Sequence, residues 1–89
     1  RPLRMHDVAI IIVTYNSSGE IEACLRSVFA QRRAVTQQVI VVDNLSTDGT
    51  AALVREKFPE VLVIEPGRNL GFAAGCNLGV SRADAEFIL

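Results

Sequence analysis

The chain has 89 residues, a formal net charge of −1, 49% hydrophobic residues and 21% charged residues. This length supports one small domain with a modest core, and the composition is that of a soluble globular chain. The charge excludes nucleic acid or an anionic membrane as the main partner, because either requires a concentrated basic face.

Val8 to Val13 is a continuous apolar run, β-branched except at Ala9, the pattern of a strand buried on both faces of a parallel sheet. Thr14-Tyr15-Asn16 closes it. Ser17 precedes Glu20 by three residues, the spacing of a capping box. Ile21, Cys24, Leu25, Val28 and Phe29 then recur on one face of a helix expected over 19–32. On that pattern Cys24 is a buried free thiol, with no disulfide to Cys76, and Arg32-Arg33 marks the helix C-terminus.

Val39 to Val42 forms a second strand, ended by Asp43. Ser46, Thr47 and Asp48 are candidate caps for a helix whose inner face is Ala51, Val54 and Phe58 and which Pro59 stops. Val61 to Ile64 is a third strand and Glu65-Pro66-Gly67-Arg68 a turn. A third helix is expected over about 72–81, and Glu86 to Leu89 begins a fourth strand. The order β-α-β-α-β-α-β implies an α/β fold with a parallel sheet and right-handed crossovers, in three α/β/α layers.

Polar motifs follow three of these strands: Thr14-Tyr15-Asn16, then Asp43-Asn44-Leu45-Ser46-Thr47-Asp48-Gly49-Thr50, then Asn69 to Gly79. In an open parallel sheet, ligands bind outside the carboxyl ends of the strands, so the three motifs address one crevice. Thr14 and Tyr15 supply a small hydroxyl and an apolar face for a nucleotide base, or else merely end a strand. Asp43, at the rim, accepts from a base N–H or a ribose hydroxyl, with a turn residue as the plainer reading. Ser46, Thr47 and Thr50 read as helix starters. Arg68 suits a diphosphate, although a lone surface Arg more often does nothing. Gly71, Gly75 and Gly79 let a backbone approach a ligand or a strand closely. The spacing does not fit a Rossmann fingerprint, a P-loop or a calcium loop. His6 reads as a solvated terminal residue with no partner for a triad or a zinc site.

Taken together, Val13-Thr14-Tyr15-Asn16, Val41-Val42-Asp43-Asn44 with Ser46-Thr47-Asp48-Gly49-Thr50, and Asn69, Gly71-Phe72-Ala73, Gly75, Asn77 and Gly79 resemble the N-terminal part of family 2 glycosyltransferases. The resemblance covers Val8 to Leu89. It implies the Rossmann-like N-terminal half of a GT-A domain, binding the nucleotide of a UDP- or dTDP-sugar whose sugar passes to an acceptor hydroxyl with inversion. It places Thr14, Tyr15, Asn16, Asp43, Asn44, Asp48, Arg68, Asn69, Gly75 and Asn77 around the nucleotide, with Asp43 on the uracil or thymine ring and Asp48 either structural or close to the nucleotide. Val-Asp-Asn with Asn-x-Gly-Phe-Ala is most like the rhamnosyl- and galactofuranosyl-type members. Leu45 stands where the family usually has a small residue, and Cys76 where a polar one is common.

The resemblance further implies a divalent cation, Mg²⁺ or Mn²⁺, held by an Asp-x-Asp beyond Leu89, and a catalytic base also beyond Leu89. The 89 residues are accordingly expected to be a single partial domain, truncated at the C-terminus and inactive alone. The implied partners are a nucleotide-sugar and a saccharide or lipid-linked acceptor in polysaccharide or cell-wall biosynthesis, with no nucleic acid. The implied place is the cytoplasm, with peripheral association at the inner face of the membrane. A non-catalytic nucleotide-binding or interaction module of the same fold is the alternative. A nucleotidyltransferase ranks lower, because Thr14 to Gly19 lacks Lys and Arg.

Overall fold

The computed structural model describes residues 6–31 and 36–88. Its elements are β1 (His6–Thr14), α1 (Ile21–Ala30), β2 (Gln37–Asp43), α2 (Thr50–Lys57), β3 (Leu62–Ile64), α3 (Gly71–Arg82) and β4 (Ala85–Ile88). The expected alternation is present. All pairings are parallel, and the strand order is β3-β2-β1-β4.

That order creates the crevice. The chain steps from β1 to β2 to β3 in one direction, then α3 carries it back to β4 on the far side of β1. The reversal beside β1 is the topological switch point at which such sheets bind ligands.

Side-chain alternation along β1 and β2 divides the core in two. On one face Val39 and Val41 meet Ile21, Leu25, Val54 and Phe58 from α1 and α2, with Ile12 packed against them. On the other face Ile40, Val42 and Ile64 meet Ile11, Val13 and Leu78. Here α3 turns glycines to the sheet. A Cβ at Gly75 would lie 3.0 Å from Val13 Cγ1, and one at Gly79 only 2.5 Å from Ile11 Cγ2. The close approach expected of these glycines is to the strands.

Several local expectations are corrected. α1 starts at Ile21 and has no capping box: the Ser17 hydroxyl donates to the Tyr15 carbonyl, while the Ser17 carbonyl accepts from Glu20 and Ile21 N–H. Cys24 is exposed rather than buried, and both cysteines are free. The buried stripe runs through Ile21 and Leu25, and Cys24 falls on its flank. His6 is no solvated terminus; it pairs with Ala85, and its Nδ1 donates to the Asp84 carbonyl at 3.2 Å. β3 starts at Leu62, one residue later than expected, and β4 at Ala85, one residue earlier. Arg32-Arg33 and Leu89 lie outside the described residues.

Candidate functional site

β1 and β2 end level with each other, with Thr14 in register with Asp43. Both side chains fall on the α1/α2 face of the sheet and both are buried, Asp43 at 2% exposure. Asp43 is thus enclosed where an open rim position was expected. The loops that follow close over it and are tied to each other. Asn16 N–H donates to Ser46 Oγ at 2.7 Å, and Thr47 N–H donates to Asn16 Oδ1 at 2.8 Å. Ser17 N–H donates to Thr50 Oγ1 at 3.1 Å, and Ser18 N–H to Asp48 Oδ2 at 3.0 Å. Backbone groups that would otherwise need water are satisfied across the two loops, which holds them as one unit.

Asn16 and Leu45 both adopt the left-handed backbone region, with φ of 47° and 64°. Asn tolerates this conformation; Leu rarely adopts it. The turn at Leu45, whose N–H donates to the Asp43 carbonyl at 2.9 Å, brings Ser46 back to Asp43. Ser46 Oγ donates to Asp43 Oδ1, and Ser46 N–H lies 3.4 Å from Oδ2. Asp48 accepts from the Thr50 hydroxyl, from Ser18 N–H and from Thr50 N–H at 3.1 Å. These bonds, the Thr50 hydroxyl first, lower its pKa to about 2.

Among the described residues, the Thr14 hydroxyl is buried without a hydrogen-bond partner. Such groups are uncommon and cost about 1–3 kcal/mol when left unpaired. Tyr15, the next residue, is 53% exposed at the same edge.

The chain passes from Asp43, the last residue of β2, on one face to Asn44 on the other. Asn44 is buried, and both ends of its amide serve α3: Oδ1 accepts from Leu70 N–H at 3.2 Å and Nδ2 donates to the Gly71 carbonyl at 3.0 Å. Asn69 Oδ1 accepts from Gly71 N–H at 2.8 Å. Gly75 lies against Val13 and Asn44. Arg68 and Asn77 are exposed. The ten residues expected around a nucleotide thus fall into two groups. Thr14 and Asp43 end β1 and β2, and Tyr15, Asn16 and Asp48 belong to the loops that follow. Asn44, Asn69 and Gly75 hold the start of α3, with Arg68 and Asn77 exposed beside them.

A cavity of about 180 Å³ opens between β1 and the start of α1, lined by Ile12, Thr14, Ser17, Ile21 and Cys24 among others. Among the described residues no three His, Cys, Asp or Glu side chains are grouped to hold a metal ion. No helix among them is long and apolar enough to cross a membrane.

Sequence reasoning passed over Ser46 and Thr50 as helix starters. One is the partner of Asp43 and the other of Asp48. The available signal was local: a hydroxyl three residues after a strand-ending Asp, and another two residues after Asp48, both spacings at which short polar side chains bond nearby groups.

The family model for glycosyl transferase family 2 matches residues 9–89. Among curated proteins, the chain is 36% identical to the succinoglycan biosynthesis protein ExoO of Rhizobium meliloti, over 96% of this chain and 24% of that protein. It is 32% identical to an N-acetylglucosaminyl-diphospho-decaprenol L-rhamnosyltransferase of Mycobacterium tuberculosis, over 82% of this chain and 24% of that protein. Among solved structures, S. aureus TarS 1-349 superposes with a TM-score of 0.82 at 29% identity, covering 93% of this chain and 26% of that one. The mannosyltransferase PcManGT of Pyrobaculum calidifontis, in complex with GDP-Man and Mn²⁺, superposes with a TM-score of 0.76 at 32% identity, covering 92% and 26%. The chain therefore spans about a quarter of the length of the curated relatives it matches. A family match running from within β1 to the last residue, over this four-stranded parallel fold, shows that the chain belongs to glycosyl transferase family 2.

Proposed function

We propose that these residues form the nucleotide-binding part of an inverting glycosyltransferase and hold the base and ribose of a UDP- or dTDP-sugar donor. The observation that carries this reading is the unpaired, buried Thr14 hydroxyl, level with Asp43 at the carboxyl edge of the sheet. A buried hydroxyl without a partner marks a place where a ligand's polar edge compensates what the fold leaves open. In this reading Tyr15 supplies an apolar face beside it, Asn69, Gly75 and Asn77 are assigned to the α3 side of the nucleotide, and Arg68 suits the diphosphate.

The cation and the catalytic base are assigned to parts of the whole protein outside these 89 residues. The described carboxylates do not converge on a metal site, so no step is derived through a metal. A GDP-Man and Mn²⁺ complex in a structural relative supports donor binding and a divalent cation for the whole enzyme. Relatives named for succinoglycan biosynthesis and for a diphospho-decaprenol acceptor support a saccharide or lipid-linked acceptor. Their names also fit a part in polysaccharide or cell-wall assembly; the cytoplasm, at the inner face of the membrane, is the place this reading assigns.

Calorimetric titration of UDP, dTDP and GDP, each with and without Mn²⁺, tests the reading. Saturable binding of UDP or dTDP ahead of GDP is expected. No binding of any of the three overturns the reading, and tighter binding of GDP overturns the pyrimidine assignment. The chain by itself is expected to show no sugar transfer from UDP- or dTDP-sugars; turnover would place the base among these residues.

A further inference from the structure

We infer that Cys24 is a modification site: its thiol takes up a small, neutral, hydroxyl-bearing thiol as a mixed disulfide, and the hydroxyl end lies in the cavity beside α1 and pairs with the Thr14 hydroxyl. The inference goes beyond the nucleotide reading and does not depend on it.

Two independent features meet at this cavity. Cys24 is free and exposed, so its sulfur is open to a reagent in solution. Thr14 is 5% exposed, and its hydroxyl is buried without a hydrogen-bond partner. Both residues line the same cavity of about 180 Å³. An apolar cavity of about 150 Å³ holds a benzene molecule, so a chain of a few heavy atoms fits here. Ile12 and Ile21 give it an apolar wall for methylene carbons. Ser17 also lines it, but the Ser17 hydroxyl already donates to the Tyr15 carbonyl at 3.1 Å, which leaves the Thr14 hydroxyl as the group in want of a partner. Glu20 lines it too, and its carboxylate repels an anionic group and so selects a neutral one. A hydroxyl offers one donor and two acceptor sites, so a partner in the cavity leaves Thr14 able to meet a second group at the crevice.

The step is thiol–disulfide exchange. The Cys24 thiolate attacks one sulfur of a small disulfide, a bond forms between those two sulfurs, the original S–S bond breaks, and the other half leaves as a thiolate. Cys24 is oxidised to the disulfide state and the departing sulfur is reduced, with the small disulfide as the oxidant. The free small thiol reverses the step. An adduct ending in a hydroxyl gives Thr14 its missing partner. An adduct of the same length ending in a methyl leaves it unpaired.

Equilibration of the whole protein with bis(2-hydroxyethyl) disulfide and its thiol, or with dipropyl disulfide and its thiol at the same ratio, tests this at about pH 8, where thiols are partly ionised. Peptide mass mapping reads the adduct at Cys24 and, as the internal reference, at Cys76 on α3 across the sheet. In wild type the hydroxyethyl adduct at Cys24 is expected to exceed the propyl adduct by about fivefold relative to the same ratio at Cys76. Thr14→Val, which keeps the side-chain volume, is expected to remove that excess, and Thr14→Ser, which keeps the hydroxyl, to retain it. Thermal melting confirms that each variant folds. No adduct at Cys24, or equal ratios at Cys24 and Cys76 in wild type, overturns the inference, and this comparison decides without any variant. An excess that survives in Thr14→Val overturns it too, because the adduct's hydroxyl would then be held by something other than Thr14.

Discussion

The two faces of the sheet are covered by different means. On the α1/α2 face, large side chains fill the space: Leu25 and Val54 are fully buried, and the Phe29 and Phe58 rings stack with centroids 5.9 Å apart. On the α3 face, glycines remove side chains at the contact and the helix backbone lies on Ile11, Val13 and Val42. One layer is held by volume, the other by closeness. Each side receives a residue from the end of β2, the last strand residue Asp43 on the first and the next residue, Asn44, on the second. The fixed loops of the first side therefore depend on how well α1 and α2 fill their layer, and the start of α3 depends on how near its backbone can come.

The largest effects should come from opposite errors in the two layers. Leu25→Ala empties a fully buried site in the filled layer and is expected to cost about 2–5 kcal/mol in urea unfolding. A cost near zero would mean that the layer collapses freely and is not held by volume. Gly79→Ala adds a methyl to the close layer. Alanine gains about 1 kcal/mol of helix propensity over glycine, yet its Cβ would stand 2.5 Å from the branched Ile11 side chain. Overpacking of this kind is expected to leave a net loss of about 1–3 kcal/mol. Gly75→Ala, at 3.0 Å from Val13 Cγ1, should cost less. A stabilised Gly79→Ala would break the contrast between the faces.

A smaller effect, dependent on pH, separates the tied loops from the layer beneath them. The Asp48 carboxylate is exposed and accepts from Ser18 and Thr50, which lowers its pKa from 3.8 to about 2. A depressed carboxylate contributes stability that is fully present above its unfolded pKa and is lost as pH falls through its folded pKa. The melting temperature of wild type should therefore exceed that of Asp48→Asn at pH 6. The gap should narrow between about pH 4 and pH 2. A gap that does not change with pH would assign the effect to shape rather than charge.

How much of this was legible in the sequence follows from which interactions are local. The apolar runs of β1 and β2 announced parallel strands, because a strand with sheet neighbours and covered faces reads as an unbroken apolar run, and the alternation of elements announced the layers; β2 is buried from Val39 on, while Ile11, Ile12 and Val13 of β1 are half-buried. Gly71, Gly75 and Gly79 suggested a close approach to a ligand or a strand through their missing side chains; Gly75 and Gly79 meet strands, while nothing lies within 4 Å of a Cβ at Gly71. Cys24 misled because a helical stripe has flanks as well as a centre, and only the sheet beneath decides which is which. Asp43 was read at the rim because the cover over it comes from Asn16 and Ser46, whose contact spans 30 residues and leaves no periodic trace. Ser46 and Thr50 were hidden for a related reason: as capping types they already had a sufficient local explanation.

The smallest expected effect lies at the join between the two faces. Leu45 follows Asp43 and Asn44, and its φ of 64° is one that crowds Cβ against the carbonyl oxygen. The conformation persists because its neighbours fix it: Asn44 is anchored to Leu70 and Gly71, and Ser46 to Asp43 and Asn16. Leu45 is itself 51% exposed, so its side chain returns little burial for the strain. Asparagine accepts this backbone region with less strain, so Leu45→Asn is expected to stabilise the fold by about 0.5–1 kcal/mol in urea unfolding. UDP affinity should be unchanged, because the turn that carries Ser46 back to Asp43 is kept. Destabilisation would show instead that the leucine side chain packs against the crevice edge, and the boundary between the two faces would then be held by volume as well as by hydrogen bonds.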